Sequence, residues 1–255
     1  MSADHYARLP QGWSASLHAL SDRTVLITGA SGGLGRATAL AVTRAGGSAI
    51  LLGRKVRPLE KVYDELVALG GAPPAIYPLD LSGAAPDDYA QLAATIEREC
   101  GRLDGIVHAA AHFTGLQAAA SIAADEWLRA LHVNLSAPFL LTQACLPLLQ
   151  NAADASVVFV LDDPGRMGRA HWGGYGVAKR GLDGLASILH DELENTPVRI
   201  NALLPMPMRT ALRRAAYYGE NTLELPLPDA AADAVVYLLS RDGAAARGKV
   251  LDLRT

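Results

Sequence analysis

Short apolar runs alternate with longer stretches of helical periodicity along most of the chain, and this alternation constrains the fold more than any other feature. Apolar runs rich in Val, Ile and Leu occupy residues 24–28, 49–52, 75–79, 105–108, 156–161, 198–203 and 249–253. Helical periodicity covers residues 33–45, 59–69, 87–100, 124–150 with a break near Pro138, 174–194 and 229–240. Continuous apolar runs are typical of parallel strands that are buried on both faces and joined by right-handed crossovers. The sequence therefore predicts an α/β fold with a doubly wound parallel sheet of about seven strands and helices on both faces.

Length and charge bound the class of protein. A chain of 255 residues suits one domain of ordinary size, and we expect a polar segment over residues 1–22 followed by a single domain over residues 23–255. The formal net charge of −3 and the scattered basic residues argue against nucleic acid or an anionic membrane as a partner. No apolar run is long enough to span a bilayer, and two cysteines without CxxC spacing fit a reducing compartment. We expect a cytoplasmic protein without a metal site.

A glycine-rich turn follows the first predicted strand and precedes a predicted helix. It reads Thr28-Gly29-Ala30-Ser31-Gly32-Gly33-Leu34-Gly35. Glycines at such a turn let the backbone approach a pyrophosphate, whose charge then lies at a helix N-terminus. The second predicted strand ends at Arg54, where a site for NAD would usually offer a carboxylate to the ribose. Arg54 instead suits the 2′-phosphate of NADP(H), although a solvated arginine at a strand end is the alternative.

Tyr175 and Lys179 lie one helical turn apart in the run Tyr175-Gly176-Val177-Ala178-Lys179. A nearby ammonium draws the pKa of a phenol toward neutral pH, so that the phenol becomes a usable acid or base. The motif alone occurs by chance in many helices. Together with the glycine-rich turn, it predicts acid–base chemistry beside a bound dinucleotide.

In combination, these residues resemble the short-chain dehydrogenase/reductases, and the resemblance extends over residues 24–253. The shared positions fall in the order and approximate spacing of that family: the glycine-rich turn, Asp80, Asn134, Tyr175, Lys179, Pro205 and Thr210. The run over residues 165–173 is also similar to a bacterial subgroup described only as oxidoreductases. The resemblance implies a single NAD(P)-binding Rossmann domain that assembles as a homodimer or homotetramer.

The resemblance also implies roles for individual residues. Tyr175 would exchange a proton with a carbonyl or alcohol oxygen, Lys179 would lower the pKa of the phenol and hold the nicotinamide ribose, and Asn134 would order a water in the proton relay. The implied cofactor-binding residues are Gly29, Ser31, Gly33, Leu34, Gly35, Arg54, Asp80, Leu81, Ala110, Tyr175, Lys179, Pro205 and Thr210. From the residues alone, Asp80 could equally cap the turn after its strand, and Thr210 could simply begin the next helix.

The sequence departs from the family pattern in three places. Ala109-Ala110-Ala111 replaces Asn-Ala-Gly and removes an amide that normally ties neighbouring strands together. Met206 replaces the glycine after Pro205, which brings a bulky thioether close to the expected nicotinamide. Asp162 stands thirteen positions before Tyr175, where the family places a catalytic serine.

Asp162 is the departure that bears most on activity. An ionised carboxylate cannot donate a hydrogen bond, and at ~4 Å from a developing oxyanion it opposes that charge by ~4 kcal/mol at an effective dielectric constant of ~20. Burial could instead keep Asp162 protonated, and a neutral carboxylic acid can donate. The pair Asp162-Asp163 could also serve only to turn the chain before Pro164. The sequence leaves these three readings open.

We therefore predict an NADP(H)-dependent oxidoreductase acting on a small carbonyl or alcohol, with Tyr175, Lys179, Asn134 and Asp162 at the catalytic centre. The alternative is a catalytically impaired module that binds NADP(H) as a sensor or structural partner. Residues 206–228 form an irregular segment that we call the candidate lid. Three arginines of the candidate lid could recognise an acidic group of the substrate: Arg209, Arg213 and Arg214. Outside the lid, His171 is a candidate to contact the substrate. His108 and His112 straddle a strand end, which makes a shared metal ion improbable.

Overall fold

A computed structural model describes residues 5–254 and contains one parallel sheet. Within that range the sheet has eight strands: β1 (Tyr6–Ala7), β2 (Thr24–Thr28), β3 (Ser48–Gly53), β4 (Ala75–Pro78), β5 (Gly105–His108), β6 (Ala155–Val160), β7 (Val198–Leu204) and β8 (Val250–Asp252). Their spatial order is β1-β8-β7-β6-β5-β2-β3-β4. Each of these neighbouring pairs is parallel.

The strand order reverses direction between β2 and β5. From β2 the chain proceeds outward through β3 to β4, and it then returns to place β5 on the other side of β2. In open α/β sheets, ligands bind at such a switch point, outside the carboxyl ends of the strands. The topology therefore places a binding cleft where β2 and β5 end.

Helices cover both faces of the sheet. In chain order they are α1 (Gly33–Arg44), α2 (Val56–Ala68), α3 (Pro86–Cys100), α4 (Ala124–Leu131), α5 (Ala137–Gln150), α6 (Pro164–Met167), α7 (Gly173–Glu192), α8 (Ala211–Ala216) and α9 (Asp229–Leu239). One core layer packs α1, α2 and α9 against the sheet. The other packs α3, α5 and α7 against the opposite face. Central strands such as β2 and β6 are buried along their full length, as their continuous apolar sequences predict.

The predicted fold class is confirmed, and the element bounds differ by only a few residues. The structure adds the short strand β1 inside the segment predicted to be only a polar start. The break predicted near Pro138 takes the form of one π-helical turn over His132–Ser136, between α4 and α5. No helix within residues 5–254 is long and apolar enough to cross a membrane.

Candidate active site

A cleft with a volume of about 370 Å³ opens at the carboxyl ends of the strands. It is lined by the glycine-rich turn after β2, by the ends of β3 to β7, and by residues of the candidate lid. All thirteen residues that the sequence nominated for cofactor binding lie on its wall: Gly29, Ser31, Gly33, Leu34, Gly35, Arg54, Asp80, Leu81, Ala110, Tyr175, Lys179, Pro205 and Thr210. Residues separated by up to 181 positions in the chain (Gly29 to Thr210) thus share one cleft.

The glycine-rich turn has no room for side chains at two of its positions. Gly29 has a φ of +64°, and a Cβ there would lie 2.7 Å from the Ala110 Cα. A Cβ on Gly35 would lie 2.2 Å from the Gly29 carbonyl oxygen, because the first turn of α1 packs directly on the loop. The first turn of α1 contains no acidic residue and no side-chain cap, so no carboxylate competes there for an anion. The turn has the shape and polarity of a phosphate cradle.

Thr28 ties the glycine-rich turn to the loop after β5. Its hydroxyl accepts a hydrogen bond of 3.1 Å from the Ala110 backbone N–H and donates one of 3.3 Å to the Val107 carbonyl oxygen. This link joins the two neighbouring strands at the point where the sequence Ala109-Ala110-Ala111 lacks an amide side chain.

Arg54 and Asp80 follow β3 and β4 at the same edge of the sheet. Arg54 is exposed on the cleft wall, and no carboxylate among residues 5–254 lies within ion-pair distance of its guanidinium. Asp80 accepts hydrogen bonds from the backbone N–H and the hydroxyl of Ser82, at 3.0 and 2.8 Å. Burial opposes the charge of Asp80, but the Ser82 hydrogen bonds and the Arg54 guanidinium outweigh it and hold the pKa of Asp80 below its usual value. Asp80 therefore shapes its turn and lines the cleft at once.

The phenol of Tyr175 and the carboxylate of Asp162 are hydrogen-bonded partners. The Tyr175 hydroxyl donates to Asp162 Oδ2 at 2.9 Å. Asp162 Oδ1 accepts from the Asp163 backbone N–H at 2.7 Å and from the Arg166 guanidinium at 3.4 Å. Burial and the adjacent Asp162 charge raise the pKa of Tyr175 well above its ordinary value, and the Arg166 guanidinium offsets only part of this effect. Asp162 therefore accepts hydrogen bonds from Tyr175, Asp163 and Arg166.

Lys179 is buried one helical turn from Tyr175. Its ammonium donates a hydrogen bond of 2.7 Å to the Val160 carbonyl oxygen and lies 5.8 Å from the centre of the Tyr175 ring. Burial lowers the pKa of Lys179 to about 8, with the Asp162 charge acting in the opposite direction. The ammonium is therefore close to the phenol, but burial and Asp162 outweigh any lowering of the phenol pKa.

Asn134 lies in the π-helical turn, behind the cleft wall. Its amide nitrogen donates to the carbonyl oxygens of His112 and Ala130, each at 2.8 Å, and its oxygen accepts from the His112 backbone N–H at 3.1 Å. Since the side chain is 1% exposed, it fixes the loop after β5 to the helix instead of lining the cleft. Single π-turns inside helices occur often at functional sites.

Tyr175 belongs to a group of four packed aromatic side chains, and we call Phe113, Trp172, Tyr175 and Tyr217 the aromatic cluster. The ring centre of Tyr175 lies 5.1 Å from that of Phe113 and 6.0 Å from that of Trp172. The ring centres of Trp172 and Tyr217 are 6.1 Å apart. Trp172 and Tyr175 line both the main cleft and a smaller adjoining cavity. The cluster gives the end of the cleft near Tyr175 an apolar and aromatic wall.

Known proteins are similar in sequence to this chain over most of its length. A model of the short chain dehydrogenase family matches residues 23–221 of the chain. The protein belongs to the short-chain dehydrogenase family. It is 34% identical over 233 residues to the uncharacterized oxidoreductase YciK of Escherichia coli strain K12, a match that covers 91% of this chain and 92% of that protein.

Solved structures of the short-chain dehydrogenase family match nearly the whole chain. A short chain dehydrogenase from Pseudomonas syringae has a TM-score of 0.91 at 38% identity, and the match covers 97% of this chain and 100% of that one. Another, from Escherichia coli CFT073 and complexed with NADPH, has a TM-score of 0.90 at 34% identity, covering 94% of this chain and 100% of that one. These likenesses and the matched family model make this chain a short-chain oxidoreductase by family.

Thr210 and Asp163 each cap a short helix in this short-chain dehydrogenase. The Thr210 hydroxyl accepts from the Arg213 backbone N–H at 3.1 Å and begins α8 while lining the cleft. Asp163 caps α6 by accepting from the Gly165 N–H at 2.8 Å. The acidic pair is therefore divided: Asp163 turns the chain before Pro164, as one reading of the sequence held, whereas Asp162 contacts Tyr175.

Arginines of the candidate lid are engaged within the protein. Arg213 forms a two-bond ion pair with Glu220, at 2.6 and 2.5 Å, and its guanidinium stacks 3.7 Å from the centre of the Tyr217 ring. Arg209 donates to the carbonyl oxygens of Thr222, Leu223 and Leu225. Both side chains hold the lid segment together. Arg214 is exposed and does not line the cleft.

Histidines near the cleft have separate partners. Buried His108 contacts the Thr142 hydroxyl at 2.9 Å and stacks on Phe159, and burial, assisted by the Lys179 charge, lowers the pKa of His108 to about 3. His112 contacts Glu126 at 2.7 Å. His171 has a φ of 77° and borders only the smaller cavity. Within residues 5–254, no group of three or more His, Cys, Asp or Glu side chains could hold a metal ion.

Sequence reasoning missed three residues of the site. Arg166 contacts Asp162, while Trp172 and Tyr217 form much of the wall around Tyr175. Arg166 and Trp172 stand in the run that resembles bacterial oxidoreductases, so that run was a usable signal. Tyr217 carried none, because its position depends on how the candidate lid folds.

Proposed function

We propose that this protein is an NADP(H)-dependent oxidoreductase that transfers hydride between the nicotinamide and a small carbonyl or alcohol, with Tyr175 as the general acid or base. The observation that carries the proposal is the meeting of Tyr175 and Lys179 with the glycine-rich turn and Arg54 in one cleft. A family relative complexed with NADPH supports the choice of cofactor.

The cleft fits a dinucleotide with a 2′-phosphate. A Cβ at Gly29 or Gly35 would collide with backbone, so only glycine at these positions permits the tight turn that begins α1 at the cleft. We assign the phosphates to Gly29, Ser31, Gly33, Leu34 and Gly35, and the 2′-phosphate to Arg54. We assign the adenine to Asp80 and Leu81. The nicotinamide end is assigned to Ala110, Tyr175, Lys179, Pro205 and Thr210. When bound, the cofactor supplies or accepts the hydride.

Proton transfer is the task of the chain's own residues. Tyr175 Oη exchanges a proton with the substrate oxygen, and Lys179 binds the ribose of the cofactor. Asn134 acts through position, since its amide fixes the His112 backbone beside the cleft. Met206 and Met208 also line this end of the cleft, which suits a compact apolar substrate.

A second candidate function rests on the Asp162–Tyr175 hydrogen bond. A phenol whose proton points at a carboxylate and whose pKa is raised is a poor acid toward a carbonyl oxygen. The alternative is therefore a catalytically impaired NADP(H)-binding sensor or structural module.

One experiment separates the two functions. NADPH binding is followed by the change in its fluorescence on titration with the full-length protein, and turnover is then followed with a panel of small ketones, aldehydes and alcohols. Binding with turnover supports the enzyme, and binding without turnover of any panel member supports the binding module. Failure to bind NADPH or NADH would overturn both.

Assembly and location complete the proposal. Exposed apolar side chains stand on α4, α5 and α7, including Leu128, Phe139 and Ile188, and a homodimer or homotetramer would cover them. The proposed location is the cytoplasm, and the proposed partner is a small-molecule substrate. Sedimentation analysis of the purified protein tests the assembly.

A further inference from the structure

The Asp162 carboxylate makes the catalytic end of the cleft better suited to a ligand that donates a hydrogen bond than to one that accepts it. A ketone approaching Tyr175 Oη needs donors for its oxygen, but the Tyr175 proton is directed to Asp162 Oδ2 at 2.9 Å. Asp162 is an acceptor in each of its contacts. A substrate atom placed between these two groups must itself carry a proton to satisfy the carboxylate.

Charge development favours the same kind of substrate. Hydride addition to a ketone creates an alkoxide, and a nearby carboxylate opposes that negative charge. Hydride addition to a protonated imine creates no negative charge, because the positive charge on nitrogen is discharged. Asp162 opposes the first reaction. In the second it stabilises the protonated form that accepts hydride.

The aromatic rings and carboxylates around Asp162 also favour a cationic ligand. Aromatic faces attract cations, and the aromatic cluster lies around Tyr175. The guanidiniums nearby are paired with carboxylates: Arg166 with Asp162 and Asp163, Arg254 with Asp163 and Asp252, and Arg213 with Glu220, so in these contacts four carboxylates meet three guanidiniums. Lys179 also lies close by, and it directs its ammonium to the Val160 carbonyl oxygen.

We propose that the preferred substrates of this site are protonated imines with an apolar, preferably aromatic, body, and that Asp162 binds their N–H group. The proposal rests on the proposed NADP(H)-dependent function and narrows its substrate class. Hydride from the reduced nicotinamide adds to the iminium carbon, the C=N π pair becomes the lone pair on nitrogen, and the nitrogen keeps its proton as the N–H of a neutral amine. Balance requires NADPH as the reductant and no other reactant.

The test compares two probes of similar bicyclic shape, 3,4-dihydroisoquinoline in its protonated form and 1-tetralone. Calorimetric titration of the full-length protein without cofactor measures their dissociation constants. We expect Asp162→Asn to weaken binding of the protonated imine by about tenfold or more, the magnitude of a charge-assisted hydrogen bond, and to change 1-tetralone binding much less. Asp64→Asn, which removes an exposed carboxylate from α2, should change neither constant. Equal effects of Asp162→Asn on both probes, or no effect on either, would overturn the proposal.

Turnover gives a second and separate readout. With NADPH, wild type should reduce the protonated imine with a kcat/KM at least about tenfold above that for 1-tetralone, and Asp162→Ser should reverse the preference. Circular dichroism melting shows whether each variant is folded, and Asp162→Ser replaces Asp162→Asn in the titrations if the latter is not. If NADPH binds and ketones are reduced without any preference for the imine, the substrate proposal alone fails. If NADPH does not bind, the proposed function fails, while the calorimetric result still decides whether Asp162 binds protonated imines.

Discussion

The Tyr175 hydroxyl donates a hydrogen bond of 2.9 Å to Asp162 Oδ2, and this contact decides how the cleft can work. A serine at position 162 would leave the phenol proton to a substrate oxygen and add a second donor. The carboxylate instead accepts the hydrogen bond of the phenol and adds a negative charge beside it. The raised pKa of Tyr175 is the electrostatic result, with burial as its largest cause and Asp162 as the next.

Replacing Asp162 with serine should increase ketone reduction. The change removes a charge that opposes the developing oxyanion and supplies a neutral donor, so we expect kcat with a ketone such as 1-tetralone to rise by about tenfold or more. Steady-state consumption of NADPH measures it. Asp162→Ala is the control, since it removes the charge without adding a hydroxyl and should give only part of the increase. An unchanged kcat in both variants would show that the carboxylate is not the obstacle.

Arg54 should discriminate between the two nicotinamide cofactors. Arg54→Ala removes the guanidinium that we assign to the 2′-phosphate, and we expect the dissociation constant of NADPH to rise by about tenfold to a hundredfold. That of NADH should change little, because it carries no such phosphate. Arg57→Ala removes an exposed arginine from α2 and serves as the matched control. Parallel losses for NADPH and NADH would show that Arg54 does not contact the 2′-phosphate.

Lys179 should make stability rise with pH. Burial lowers its pKa from 10.5 to about 8, so between these values the unfolded chain holds a proton at Lys179 that the folded chain has lost. The free energy of unfolding therefore rises with pH through this window, by at most about 3 kcal/mol, and the penalty of burying the ammonium is fully present below it. Urea unfolding of wild type and Lys179→Met should be compared below about pH 9.5, because tyrosines begin to ionise in the unfolded chain near ~10. The rise should be smaller in the variant; equal slopes would contradict the lowered pKa.

The Arg213–Glu220 ion pair should order the candidate lid. Glu220→Gln removes the carboxylate that holds Arg213 beside Tyr217, and we expect faster cleavage by proteases within residues 206–228 together with a higher KM. Limited proteolysis followed by mass spectrometry locates the cleavage. Glu224→Gln, in the same segment but bonded only to Asn221 among the described contacts, should leave both measurements near wild type. Identical cleavage in all three proteins would mean that the ion pair does not order this segment.

The sheet and most helices followed from the sequence because their signals are local. β2 and β5 coincide with the predicted runs at 24–28 and 105–108, since each is a continuous apolar stretch with polar or glycine residues at its ends. β1 was not predicted, because a two-residue strand has no periodicity and exists only through its pairing with β8. The break predicted near Pro138 is a π-turn over His132–Ser136, where Asn134 bonds to His112, a partner distant in sequence.

The candidate site was predictable as a set of positions, but the directions of its side chains were not. Motif spacing brought Tyr175, Lys179, Arg54 and the glycine-rich turn to the same end of the sheet. Whether Asp162 faced the phenol or only turned the chain depended on contacts with Asp163 and Arg166 that no spacing encodes. The internal partners of Arg209 and Arg213 likewise arise from the folded candidate lid.

The most direct test of the proposed function is the turnover of NADPH by wild type and by Tyr175→Phe, each mixed with the same panel of ketones and protonated imines. We expect wild type to oxidise NADPH with at least one panel member, and the variant, at saturating NADPH, to lose about 10²- to 10⁴-fold in kcat with the carbonyl substrates. Carbonyl turnover by wild type that survives unchanged in Tyr175→Phe, or wild type that binds NADPH but turns over no panel member, would contradict the account.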